Sequence, residues 1–213
     1  KEISLVQPES TSYPNGLKIF VFQQNDIDLL KFEFIFSNVL LEEELATLNP
    51  ILSSMLKEGT KTLSSREIAD TIDFYGAYLM PEYSYDHTSL TVYTMHKYVG
   101  KILPLLADIL QNSILPQAEL DTYIRNNKQN LQISLQKNDV LARRNFYKEV
   151  FKGTRYGVIP TESTFNSVRR EQLLTLYNSQ VRPDNCTLFV AGRVTDEIAQ
   201  MIATLFGNEW SNN

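Results

Sequence analysis

The chain has little of what most site chemistries require. One cysteine, Cys186, among 213 residues excludes an internal disulfide and any zinc cluster built on thiolates. It stands in the apolar run Cys186-Thr187-Leu188-Phe189-Val190-Ala191, where a buried core thiol is expected. Only two histidines are present, His87 and His96. The eight glycines form neither G-x-x-x-x-G-K-[ST] nor G-x-G-x-x-G, so nucleotide binding has no support. Neither Ser53-Ser54 nor Ser64-Ser65 sits in a G-x-S-x-G elbow, and a serine nucleophile needs a base within reach. No apolar run approaches the ~18 residues of a membrane span. The opening Lys1-Glu2-Ile3-Ser4 has no signal-peptide core, although a signal removed earlier leaves none, so cytoplasm and export both stay open. A net charge of −5 offers no basic face for phosphates, and nucleic acid is not an expected partner.

What is present is enough apolar and aromatic material, 43% and 11%, for a packed globular protein. Asn15-Gly16 marks a turn before a strand at Leu17 to Phe22, and a second strand at Leu30 to Ser37 is expected to pair with it as a hairpin. Leucine spacing from Glu42 to Leu56 predicts a helix stopped by Gly59, with Pro50 either kinking it or moving its first turn to about residue 49. Ser64-Ser65-Arg66-Glu67 reads as the cap of a helix reaching Tyr75, followed by antiparallel strands at Tyr78 to Tyr85 and Thr88 to Met95. Helices follow at Tyr98 to Gln111, Pro116 to Lys137, Val140 to Phe151 capped by Asp139, and, after a loop at Lys152 to Thr164, Val168 to Ser179. A strand at Cys186 to Ala191 and a helix from Asp196 to Phe206 close the order. Hairpins alternating with helix pairs indicate an α+β fold, a largely antiparallel sheet covered by helices, in one compact domain without internal repeats.

Several fragments, in this order, carry a resemblance to a known family. They are Asn15-Gly16-Leu17-Lys18-Ile19, Met55-Leu56-Lys57-Glu58-Gly59-Thr60, Phe74-Tyr75-Gly76-Ala77, Tyr156-Gly157, and Arg182-Pro183-Asp184-Asn185 through Val190-Ala191-Gly192. Together, over roughly residues 13 to 206, they resemble the insulinase-like, or pitrilysin-type, M16 metallopeptidases. The resemblance implies a domain that pairs with a homologous one around a peptide chamber. It also implies that residues 1–213 are the first, N-terminal domain of a longer two-domain subunit, in keeping with the abrupt end at Asn212-Asn213.

The same resemblance shows what is missing. In active members H-x-x-E-H places two His and a Glu on one helix face, to bind zinc and activate water. The corresponding residues here are Pro50, Ser53 and Ser54. A second Glu ligand is implied within Thr122 to Asn138, and that stretch holds no carboxylate. The stretch Lys137 to Arg144 matches non-catalytic partner subunits better. The expectation is therefore a pseudoenzyme domain with no catalytic residue, no metal and no cofactor of its own, zinc belonging to a catalytic partner. Its implied partners are a homologous M16 domain or subunit, in a heterodimer, and a peptide or unfolded polypeptide. Two alternatives stay open: an active zinc endopeptidase whose H-x-x-E-H lies elsewhere, and a purely structural scaffold subunit.

His87 and His96, nine residues apart on a strand, face opposite ways; a turn histidine and a hydrogen-bonded structural histidine are expected. Glu42-Glu43-Glu44 reads as an acidic first turn favoured by the helix dipole. Tyr75, Tyr78, Tyr83, Tyr85 and Tyr93 are expected mainly in packing, with a peptide platform on an exposed edge strand as the functional alternative.

Overall fold

Strict alternation builds the sheet. In β3 (Leu29–Ser37) Leu30, Phe32, Phe34 and Phe36 are fully buried and the residues between them only partly so, because successive side chains leave opposite faces. The computed structural model describes residues 7–39, 45 and 47–211. Among them, six strands form one sheet in the order β1-β2-β6-β3-β5-β4, with β1 Glu9–Ser12, β2 Lys18–Gln23, β4 Tyr78–Tyr83, β5 His87–Met95 and β6 Cys186–Gly192. Four pairings are antiparallel and one, β2 with β6, is parallel.

The expected β2–β3 hairpin does not form: β6 lies between the two strands and pairs with both. Its buried residues Leu188 and Val190 complete the apolar centre between Ile19 and Phe32–Phe34, and a local turn signal carries no information about a strand some 160 residues away. The edge strand β1 was not expected, since Glu9-Ser10-Thr11-Ser12 is polar and fully exposed.

Helices α1 (Leu48–Met55), α3 (Val99–Asn112), α7 (Arg170–Gln180) and α8 (Asp196–Ile202) supply the buried residues that join the sheet's Phe and Leu face in one core. Phe206 and Trp210, beyond α8, pack their rings against Phe34 and Phe36, tilted in the first pair and edge-on in the second. The last turns there form a π-helix, Ala203–Asn208, in place of the expected α-helical ending. Helix α2 (Ser65–Phe74) opens on a complete capping box between Ser64 and Glu67. Glu67 accepts from Ser64, and its carboxyl is held below the usual range by those hydrogen bonds.

The family-like fragments are joints of this scaffold. Asn15 Nδ2 donates to the carbonyls of Phe206 and Trp210, at 2.7 and 2.9 Å, and ties the first turn to the last. Gly16 has φ +95° and packs so closely on Asp184 that a Cβ would lie 2.7 Å from its backbone. Asn185 donates to Ser37 and Gln180 carbonyls. Cys186 is buried as expected, and burial pushes its thiol pKa well up.

Helices α4 (Gln117–Ser134), α5 (Asn138–Val150) and α6 (Glu162–Ser167) occupy the middle of the chain, and their buried residues are Leu120 of α4 and Phe165 of α6. Asp139 does not cap α5; Lys137 occupies the cap and Asp139 lies in the first turn. Helix α6 begins inside the segment expected as loop, on a Thr161 capping box.

Candidate functional site

Helix α1 carries Pro50, Ser53 and Ser54, the residues that the resemblance sets against the family's H-x-x-E-H. Pro50 is its third residue, where the backbone N–H has no intrahelical acceptor, so proline costs the helix nothing and no kink is required. Pro50, Ser53 and Ser54 share a face by their spacing. Ser53 is 2% exposed, as deeply buried as Ile51, Leu52 and Met55 of the same helix. The Ser54 hydroxyl donates to the Pro50 carbonyl at 3.2 Å, the ordinary back-bond of a helical serine. Glu42-Glu43-Glu44 lies outside the described residues.

Zinc takes imidazole, thiolate or carboxylate ligands. A proline and two neutral hydroxyls, one already donating, do not fit it. The carboxylates of α4, Glu119 and Asp121, stand in its first two turns, and Asp121 accepts from Gln117 at 2.7 Å. Mid-helix, Lys128 pairs with Glu162 at 3.2 Å and donates to Asn166. No group of three or more His, Cys, Asp or Glu side chains arranged to hold a metal occurs among the described residues.

The histidines mark the two ends of β5, about 30 Å apart by strand rise. His87 is the exposed turn histidine expected, its Nδ1 2.9 Å from Ser84 Oγ, which also binds the His87 backbone. That pair closes a hairpin turn. His96 departs from expectation: its Nε2 is buried without a hydrogen-bond partner.

The edge of the sheet opposite β1 is β4, and its chemistry follows from register. Ser84 N donates to His87 O, so the inward-bonding residues of β4 are those two apart from Ser84, namely Glu82, Met80 and Tyr78. Leu79, Pro81 and Tyr83 turn their backbone toward solvent. Pro81 therefore weakens nothing in the ladder but removes the central N–H from the free edge, as edge prolines do. An added strand would find carbonyls at all three positions and donors only at Leu79 and Tyr83.

The tyrosines divide as alternation requires. Tyr78 and Tyr93 form a cross-strand pair, and Lys31 lies over the Tyr93 ring. Tyr83, Tyr85, Tyr156 and Phe151 form a run of ring contacts that docks the β4–β5 turn on the segment after α5. Asp86 locks it, accepting from Arg155 and, at 2.8 Å, from Tyr156. Burial raises the Tyr83 hydroxyl pKa, and Arg155 is held above its usual range, chiefly by its hydrogen bond with Tyr156.

The surface that sequence reasoning missed lies beside α5. None of its 13 residues is buried, and Leu141, Phe146, Tyr147 and Val150 are exposed. A groove of about 1010 Å³ runs between α5, the end of α4 and the segment 152–164. It is lined by Arg144, Lys148 and Lys152 and, among the described residues, by no carboxylate. The weak helical patterning of α5 is the available signal, since its apolar residues do not gather into one stripe that a core could cover.

The profile of the family described as Insulinase (Peptidase family M16) matches residues 46–160, more than half of the chain. An uncharacterized zinc protease of Rickettsia felis (strain ATCC VR-1525 / URRWXCal2) is 26% identical over 203 residues, covering 91% of this chain and 48% of that protein. A protease from Helicobacter pylori superposes with TM-score 0.89 at 15% identity, over 99% of this chain and 52% of that one. A peptidase M16 inactive domain from Pseudomonas fluorescens superposes at TM-score 0.81 and 14% identity, over 96% and 52%. The chain spans about half the length of the curated relatives it matches. It belongs to the insulinase family of peptidases, family M16.

Proposed function

We propose that this chain is a catalytically inactive M16 domain, the N-terminal half of a longer subunit, that closes a peptide chamber opposite a zinc-bearing homologue. The observation that supports the reading is the make-up of α1: Pro50, Ser53 and Ser54, which the resemblance aligns with the family's ligands and base, offer no imidazole or carboxylate to bind zinc or take a proton from water. The absence of any carboxylate from Thr122 to Asn138 removes the second half of the site as well. The domain's contribution is then enclosure and orientation of the peptide, with bond cleavage carried out by the partner. The similarity in fold to a domain described as inactive supports this reading. Pro81 makes β4 a poor template for strand addition, so the reading assigns peptide holding to side chains and not to that edge.

A second reading is supported by the relatives named as zinc proteases, each about twice as long: a longer polypeptide containing this domain carries an H-x-x-E-H elsewhere. One experiment serves both. The chain is mixed with an H-x-x-E-H-bearing M16 protein of the same source, and cleavage of a quenched fluorescent peptide is followed with and without chelator. Cleavage that appears, or rises severalfold, only in the mixture is expected. Equal cleavage with and without this chain would refute the pairing.

A further inference from the structure

The molecule carries a net charge of −5, yet one surface runs strongly the other way. From residues 135 to 164 there are six Lys and Arg against three Asp and Glu. One of those acids, Glu162, is engaged by Lys128 from α4, and one of those cations, Arg155, by Asp86 from the β4–β5 turn. Arg143, Lys148 and Lys152 have no ion-pair partner among the described residues, whereas the groove beside α5 takes Arg144, Lys148 and Lys152 into its wall.

The spacing of Leu141, Arg144, Lys148 and Lys152 puts them on one side of α5 and its continuation. Arg144 is fixed by donating to the Pro160 carbonyl at 2.6 Å, and burial lowers its pKa, as expected for a cation on an apolar floor. That floor is Leu135, Val158 and Ile159. The opposite wall comes close because Gly157 packs against the Phe151 carbonyl, leaving no room for a Cβ. A second, smaller hollow of about 320 Å³ shares Arg144, Val158 and Ile159 and continues the surface past Arg143, Tyr85 and Tyr147.

A helix with no buried residue, an apolar floor and cations without carboxylates complement a segment of opposite charge that also has apolar side chains to bury. We propose that this groove is the docking site for an acidic polypeptide segment in which Glu or Asp alternates with aliphatic residues. The inference rests on the chamber reading for its biological setting and names the class of peptide that the domain would hold there.

The test is fluorescence anisotropy of the chain with a labelled peptide of alternating Glu and Leu, and with its Lys–Leu counterpart. Three proteins are compared: wild type, the groove variant Lys148→Glu with Lys152→Glu, and the charge-matched control Lys18→Glu with Lys101→Glu. All four lysines are exposed, so every variant keeps the core intact. The Glu–Leu peptide is expected to bind wild type and the control alike, the Lys–Leu peptide to bind neither, and the groove variant to lose about tenfold in affinity. Equal binding to the groove variant and wild type, or no binding to wild type, overturns the inference. The chamber reading is judged separately by adding the zinc-bearing homologue: chelator-sensitive cleavage that ignores the groove substitutions removes only the groove, whereas no cleavage in any mixture removes the chamber.

Discussion

Tyr177 shows how single residues hold this fold. Its ring is packed in the core and its hydroxyl donates to the Leu110 carbonyl at 2.8 Å, joining α7 to the end of α3. Burial pushes its pKa up to about 12, against an opposing backbone N–H at Ser113. Because the folded chain keeps the phenol neutral, the unfolded chain ionises first as pH rises above about 10, and stability falls between there and about pH 12, by up to ~2.7 kcal/mol. Tyr177→Phe is expected to cost about 1 kcal/mol at pH 8, and the gap from wild type to narrow above pH 10. Urea unfolding of both proteins at pH 8 and 11 checks this; a gap that stays constant would mean that the phenol is not desolvated. At this scale much was legible in the sequence. Cys186 in an apolar run and Ser64 three residues before Glu67 announce a core thiol and a cap from local pattern alone. His96 was not legible, because whether a buried nitrogen finds a partner depends on residues brought from other elements.

Elements were readable where their period was strong and unreadable where pairing was distant. The alternation of β3 and the leucines of α1 and α3 fixed those elements, whereas the insertion of β6 between β2 and β3 depends on residues far along the chain. The candidate site followed the same division: the residues at 50, 53 and 54 are plain in the sequence, but that Ser53 faces the core and Ser54 bonds back to Pro50 needed the fold. These facts sharpen a prediction. The triple substitution Pro50→His, Ser53→Glu, Ser54→His places a carboxylate at a 2% exposed position and is expected to lower stability by roughly 2 kcal/mol or more, without acquiring zinc. Thermal unfolding and metal analysis of the variant decide it; unchanged stability with stoichiometric zinc would mean that a further ligand stands near α1. The α5 surface escaped sequence reading because its cations are spread over α5 and the following segment and become one wall only when that segment folds back.

On the scale of the whole molecule, the scaffold is that of family M16, and the proposal is that the family's zinc chemistry is absent from this domain. Asn15, Gly16, Asn185 and the sheet order are joints that hold an M16 domain together, while the face of α1 offers nothing that zinc would accept. On the proposed reading the domain acts through its surfaces, and among the described residues the α5 groove and the edge strand β4 with Pro81 are candidates for that role. The central claim, that this domain does not itself cut peptides, is tested most directly by measuring zinc in the untagged protein together with cleavage of a peptide with and without chelator. No stoichiometric zinc and no chelator-sensitive cleavage are expected of the chain alone. One zinc per chain with cleavage abolished by chelator would contradict it.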